Sequence, residues 1–316
     1  MKTADKLAKI PPYLFMELRK KINKAKAEGI DVISLAIGDP VEATPDSIID
    51  ELCATSRDPL NHRYPTDEEK GMLAYRREIA KWYETRFGVT LNPENEILGL
   101  IGSKEGCHHF IIARVNPDDI VLMTDPGYPA YRSSILLGGG VPYNVPILPQ
   151  NNYLPVFEDI PTDIAKKATA MFLNYPNNPT GACATLEFLD KLVEFARTYD
   201  IAVCYDNPYS EIVFSGQKRI SFLMAKGAKD VGIELNSLSK PFNMCGWRLG
   251  MACGNPELIA AISKVKENTD SGIFNPIQFA GIKALQNEAP FVDKMIELYG
   301  KRRELVLKTL KKIGIE

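Results

Sequence analysis

Short apolar runs recur along the whole chain: "DVISLAIG" (31–38), "EILGLIG" (96–102), "DIVLMTD" (119–125), "TAMFLNY" (169–175), "IAVCYD" (201–206), "VGIELNS" (231–237) and "RLGMACG" (248–254). Longer stretches of helical periodicity alternate with them. Residues 105–115 and 256–267 are two, and 186–198 is a third, apolar at Leu186, Leu189, Val193 and Phe195 with Thr185 placed to cap it. Strand and helix in repetition predict an α/β fold with a mostly parallel sheet covered on both faces. Ile79, Trp82 and Tyr83 share one helical stripe and belong to the core. The "GGG" at 138–140 predicts a loop between a helix and a strand. From residue 290 a long charged helix leads out of the pattern.

With 316 residues, 45% of them apolar, the chain can bury a large core, predicting one large domain with a smaller one beside it. A net charge of −2, with both signs mixed along the chain, offers no basic stripe for nucleic acid and no polybasic run for a membrane surface. The longest charge-free stretch, 133–157, is broken by glycines and prolines and makes no membrane helix. The N-terminus lacks the continuous apolar segment of a signal peptide. Six cysteines without CxxC spacing suit a reducing, cytoplasmic setting. His62, His108 and His109 have no Cys or carboxylate partners at ligand spacing, so no metal site is expected.

In a parallel sheet, ligands collect beyond the carboxyl ends of the strands. "EILGLIG" runs into Ser103 and Lys104 at a helix start, which is either a plain cap or an anion site. "DIVLMTD" leads to Tyr128 on a proline-stiffened turn, a ring that belongs to the core or stacks on a flat ligand. "TAMFLNY" ends in the Asn-rich "PNNPTG". "IAVCYD" ends on Asp206 with Tyr209 after it, and an Asp at a buried strand end is costly unless something pairs with it. "VGIELNS" opens "SLSKPFNMCGWRLG", with Ser237, Ser239, Lys240 and Arg248. Anion donors, an aromatic platform, a carboxylate, a phenol, an amide and a Lys on one rim match the needs of pyridoxal 5′-phosphate. A nicotinamide site fits less well, because no GxGxxG follows an early strand and "GLIGSKEG" has the wrong spacing.

On these motifs the chain resembles the fold-type I pyridoxal-phosphate enzymes, in particular the class I/II aminotransferases, from about Ile33 to its last residue. The resemblance implies a mostly parallel seven-stranded sheet sandwiched by helices, with a smaller α+β domain. Residues 1–44 would form an N-terminal arm and part of that small domain, 45–285 the large cofactor-binding domain, and 286–316 the long helix and the start of the small domain's second part. It also implies roles. Lys240 would be the Schiff-base and proton-shuttling residue, and Ser103, Lys104, Ser237, Ser239 and Arg248 would hold the phosphate. Tyr128 would stack on the ring, Asp206 would face the pyridinium nitrogen, and Tyr209 and Asn178 would bond the ring oxygen. Asn178 and Gly38 would lie near the substrate. Tyr64, in "HRYPTDEEKGM", would reach across a homodimer interface to the neighbouring subunit's phosphate. The bonds Asp125–Pro126 and Asn178–Pro179 are expected to be cis.

Within the family the wording of "GSKEG", "DPGYPAYR", "LNYPNNPTGA" and "LSKPFNMCGWRLG" looks most like the LL-diaminopimelate aminotransferases and near relatives acting on aspartate or alanine. The implied substrates are an amino acid and a 2-oxo acid, LL-diaminopimelate and 2-oxoglutarate first. An aspartate/alanine-type aminotransferase or a carbon–sulfur β-lyase on the same fold is the alternative, and a non-enzymatic sensor lacks the basic module it would need. Family members continue past "KKIGIE" into a segment carrying an Arg for the substrate α-carboxylate. No Arg here is assignable to that role, so the resemblance predicts a chain whose small domain is incomplete at its C-terminus.

Overall fold

The computed structural model describes residues 1–316 apart from Tyr13, Ala36, Thr66, Glu68, Glu69, Ser215, Glu316 and the side chain of Leu14. Helices α1 (Leu14–Ala27), α2 (Asp46–Thr55) and α3 (Leu73–Phe87) precede strand β1 (Ile97–Leu100). Then follow α4 (Ser103–Arg114), β2 (Ile120–Asp125), α5 (Pro129–Gly138), β3 (Val141–Pro146), the one-turn α6 (Thr162–Ala165), β4 (Ala168–Asn174), α7 (Leu186–Tyr199), β5 (Ala202–Asp206) and the one-turn α8 (Ala228–Val231). Strands β6 (Gly232–Ser237) and β7 (Gly250–Gly254) lead to α9 (Pro256–Glu267), α10 (Asn275–Asn287) and α11 (Ala289–Lys312).

The seven strands form one sheet in the order β1-β7-β6-β5-β4-β2-β3. β3, β2, β4, β5 and β6 run parallel, whereas β7 lies antiparallel to both β6 and β1. Successive strand residues point to opposite faces, and both faces are buried. Leu98, Met123, Phe172, Cys204 and Leu235 pack under α4, α5 and α9, through Phe110, Tyr131 and Ile262 among others. Leu122, Met171, Val203, Tyr205 and Met251 pack under α3, α7 and α10. Ile79, Trp82 and Tyr83 are core residues of that second layer, as their spacing predicts. Thr185 caps α7 by accepting from the Phe188 N–H at 3.2 Å.

One run departs from the sequence reading, and one strand stands where the prolines argue against it. The run at 31–38 forms no strand among its described residues (Ala36 lies outside them), and Ile33 and Leu35 are 88% and 89% exposed. Its alternation is strand-like, but the sheet offers it no neighbour. Conversely, β3 takes the seventh place although "VPYNVP" carries two prolines. It is an edge strand paired only with β2, and an edge tolerates the missing N–H donors. The "GGG" segment does join a helix to a strand, with Gly139 at φ +90° closing α5. Asp125–Pro126 and Asn178–Pro179 are cis, and so is Tyr175–Pro176. Among the described residues, no helix is long and apolar enough to cross a membrane, and no group of three metal-ligating side chains occurs.

Candidate active site

The polar segments that follow β1, β2, β4, β5 and β6 open on one cavity of about 680 Å³. The chain closes these strands on each other, so groups up to 202 positions apart in sequence meet there, as the Lys240 amine and the Gly38 carbonyl do. Ser103, Lys104, Tyr128, Asn178, Asp206, Tyr209, Ser237, Ser239, Lys240, Arg248 and Gly38 all contribute to its wall. Tyr64 does not: it is 76% exposed, away from the cavity of its own chain.

One end of the cavity is built for an anion. Gly106 lets α4 press onto the sheet, since a Cβ there would lie 2.7 Å from Leu100 Cδ1 and 2.8 Å from Leu235 Cδ2. That contact fixes the first turn of α4, whose free N–H groups and dipole favour negative charge. Gly102 precedes it at φ +78°, ψ 155°, a conformation open essentially to glycine. The Arg248 guanidinium lies over the same residue, where a Cβ would come 2.9 Å from Cζ and nearer still to Nη2. Arg248 itself has φ +57°, and its Nη1 donates to the Cys245 carbonyl at 2.8 Å. The Ser237 hydroxyl donates to Ser239 Oγ at 2.9 Å and accepts from the Ser239 N–H at 3.2 Å, and both buried residues line the cavity. Ser103 and Lys104 thus line the same end of the cavity as Arg248, Ser237 and Ser239.

The middle of the cavity is flat and aromatic. Tyr128 meets Tyr131 edge-on at 5.6 Å and 81°, and Tyr131 stacks on Phe172 at 4.6 Å and 7°. The Tyr131 hydroxyl donates to Asp206 Oδ2 at 2.7 Å. Asp206 is 4% exposed, and its Oδ1 is buried without a hydrogen-bond partner among the described residues. Burial pushes its carboxyl up from 3.8 to about 6, against the opposing pull of the Tyr131 hydroxyl. A carboxylate oxygen left bare at a ligand cavity asks for a cationic donor. Asn174 braces the neighbouring loop, donating to the Asp206 carbonyl at 2.7 Å and accepting the Asn178 N–H at 2.6 Å. The Asn178 amide then donates to the Tyr209 hydroxyl at 3.4 Å. Burial raises the Tyr209 phenol, so that group stays protonated and able to donate.

Lys240 sits across from these groups, its Nζ donating to the Gly38 carbonyl at 2.8 Å and to Cys245 Sγ at 3.4 Å. An amine, a bare buried carboxylate, an amide, a phenol and a guanidinium beside a helix N-terminus thus meet in one cavity. Sequence reading missed Tyr131, Asn174 and Cys245. Tyr131 follows Tyr128 by three positions, and Asn174 ends an apolar run, so each carried a signal weaker than its neighbours'.

The sequence profile of the family "Aminotransferase class I and II" matches residues 30–316. An LL-diaminopimelate aminotransferase of Halothermothrix orenii is 50% identical over 316 residues, 100% of this chain and 81% of the relative. One from Moorella thermoacetica is 48% identical over 314 residues, 99% and 80% of the two chains. Substrate-bound BacF from Bacillus subtilis superposes with a TM-score of 0.94 at 35% identity, covering 99% of this chain and 78% of that one. Aspartate aminotransferase from Thermus thermophilus with maleate does so at 0.92 and 26%, covering 100% and 82%. With a profile spanning nearly the whole chain and relatives this similar along its full length, the chain belongs to the class I and II aminotransferases, enzymes that move amino groups with pyridoxal phosphate.

Proposed function

We propose that the cavity holds pyridoxal 5′-phosphate and that the enzyme transfers an amino group from LL-diaminopimelate to 2-oxoglutarate. The bare Asp206 Oδ1 carries the cofactor reading: among the described residues it is a buried acceptor without a donor, and a protonated pyridine nitrogen is the donor that suits it. The substrate reading rests on the LL-diaminopimelate aminotransferases 48–50% identical along this chain. A cavity of about 680 Å³ leaves room beside the cofactor for an amino acid.

Bound here, the cofactor would supply a reactive aldehyde and an electron-withdrawing ring. Lys240 would hold that aldehyde through Nζ, and the same nitrogen would be placed to move the proton at the substrate α-carbon. Asp206 would keep the ring nitrogen protonated through Oδ1 while the Tyr131 hydroxyl holds Oδ2. Asn178 and Tyr209 would donate to the ring oxygen, Tyr128 would cover one ring face, and the turn at 102–104 with Arg248, Ser237 and Ser239 would take the phosphate. The Gly38 carbonyl, bonded to Lys240, would stand where the substrate enters.

The exposure of Tyr64 supports a homodimer in which it serves the phosphate of the neighbouring subunit. Residues 1–44 and 286–316 would belong to a smaller domain beside the large one. Transfer is separated from lyase chemistry by its products. LL-diaminopimelate with 2-oxoglutarate should yield glutamate without ammonia, whereas ammonia and a keto acid formed without an acceptor would refute the transferase reading.

A further inference from the structure

Lys266, on α9, is fully buried and takes no part in the cavity. Its Nζ donates to Glu105 Oε1 at 3.0 Å and to both oxygens of Asp270 at 2.9 Å. Glu105 lies in the first turn of α4, and its other oxygen, Oε2, accepts the Ile101 N–H. His109, one turn on, approaches Glu105 Oε1 at 3.2 Å. Burial pushes the Glu105 carboxyl up, but His109, Lys266 and the Ile101 N–H outweigh it and hold the group ionised, below its usual range.

The placement has two consequences. Ile101 is the residue before Gly102, so Glu105 ties down the turn that presents the Gly102–Lys104 backbone to the anion end of the cavity. Yet Glu105 brings a negative charge to the helix terminus that should attract an anion, and in a poorly screened interior that charge opposes a phosphate. A buried cation beside it, shared with Asp270, offsets part of that charge while leaving the hydrogen bond to Ile101 in place.

We propose that Glu105 and Lys266 are positioning residues for the cofactor phosphate: Glu105 fixes the 101–104 turn, and Lys266 offsets the negative charge of the carboxylate that does so. The proposal rests on the cofactor reading given above. The full chain, freed of cofactor, is titrated with pyridoxal phosphate and with pyridoxal, which lacks the phosphate, and the ratio of the two affinities is the readout. Glu105→Ala removes the acceptor for Ile101 and should lower the preference for the phosphorylated form by about tenfold, about 1.4 kcal/mol, with pyridoxal affinity unchanged. Glu105→Gln keeps an acceptor oxygen and leaves Lys266 its Asp270 partner, so it should retain the preference to within about twofold. Lys266→Met leaves two carboxylates uncompensated and should lower the preference as Glu105→Ala does. Because stranding buried charges can prevent folding, the Ala and Gln pair at 105 tests the Glu105 role by itself, and a folded Lys266→Met protein that keeps the preference overturns the Lys266 role. A preference that survives Glu105→Ala, or a loss that falls equally on pyridoxal, overturns the proposal. A wild-type protein that binds pyridoxal as tightly as pyridoxal phosphate overturns the cofactor reading and the positioning pair with it.

Discussion

Gly102→Ala acts on the anion end of the cavity in two ways that can be separated. At φ +78°, ψ 155° the residue occupies a region essentially closed to a Cβ, which costs about 1–3 kcal/mol of folding stability. With an unfolding entropy of about 2.1 cal/mol/K per residue, that is a fall in Tm of about 2–5 °C for a chain of this length melting as one unit. The new methyl would also sit 2.9 Å from Arg248 Cζ and displace the guanidinium. A charge-assisted contact to phosphate contributes about 1.5–3 kcal/mol, so pyridoxal-phosphate affinity should fall about 10- to 100-fold. Arg248→Ala should weaken binding by a similar factor. Since both changes remove the same contact, the double variant should bind little worse than Arg248→Ala alone, while the Tm loss due to Gly102→Ala persists in both backgrounds. The assay is a titration of cofactor-free protein, followed by the visible absorbance of the lysine-bound form, with Tm measured in parallel. Affinity losses that add in the double variant would refute the claim that Gly102 exists to admit the Arg248 side chain.

Lys240→Ala should still bind the cofactor, lose the visible absorbance of the lysine-bound form and abolish turnover; substantial remaining transamination would exclude Lys240 as the proton carrier. Asp206→Asn should slow proton removal from the substrate α-carbon far more than it weakens cofactor binding, read as a fall in kcat and in the isotope-sensitive step. The same variant carries a pH signature. Burial raises the Asp206 carboxyl from 3.8 to about 6, so the folded protein holds this proton longer than the unfolded chain does. The contribution of this group to the stability of the cofactor-free protein therefore falls as pH rises through that window, by up to about 3 kcal/mol. Asp206→Asn should be relatively more stable above about pH 6 and lose that advantage near about pH 4, and a Tm difference independent of pH would contradict the burial argument. Mixing Tyr64→Ala and Lys240→Ala subunits should regenerate activity, because a mixed dimer contains one site with an intact Lys240 and a Tyr64 from its neighbour. No recovery in mixed dimers would place Tyr64 in its own chain's site or outside both.

The site was more legible in the sequence than the sheet. Strand ends in a parallel sheet converge, so reading the polar residue after each apolar run picked out Ser103, Tyr128, Asn178, Asp206 and Lys240, which line one cavity, without knowing strand order. Strand identity is decided by neighbours instead. The alternating run at 31–38 has none among the described residues, whereas the proline-bearing 141–146 finds β2. Tyr131 was hidden for a related reason: its aromatic body is core, stacked on Phe172, and only its hydroxyl belongs to the site. Lys266 and Asp270 read as an ordinary i,i+4 helix pair, and nothing local pointed to Glu105, which lies 161 positions away.

The most direct test of the central claim is glutamate formation by the purified protein with pyridoxal phosphate and 2-oxoglutarate, compared across LL-diaminopimelate, aspartate, alanine and aromatic amino acids. The account predicts that LL-diaminopimelate is the preferred donor and that Lys240→Ala abolishes the signal. Glutamate formed from aspartate or alanine but not from LL-diaminopimelate would contradict it.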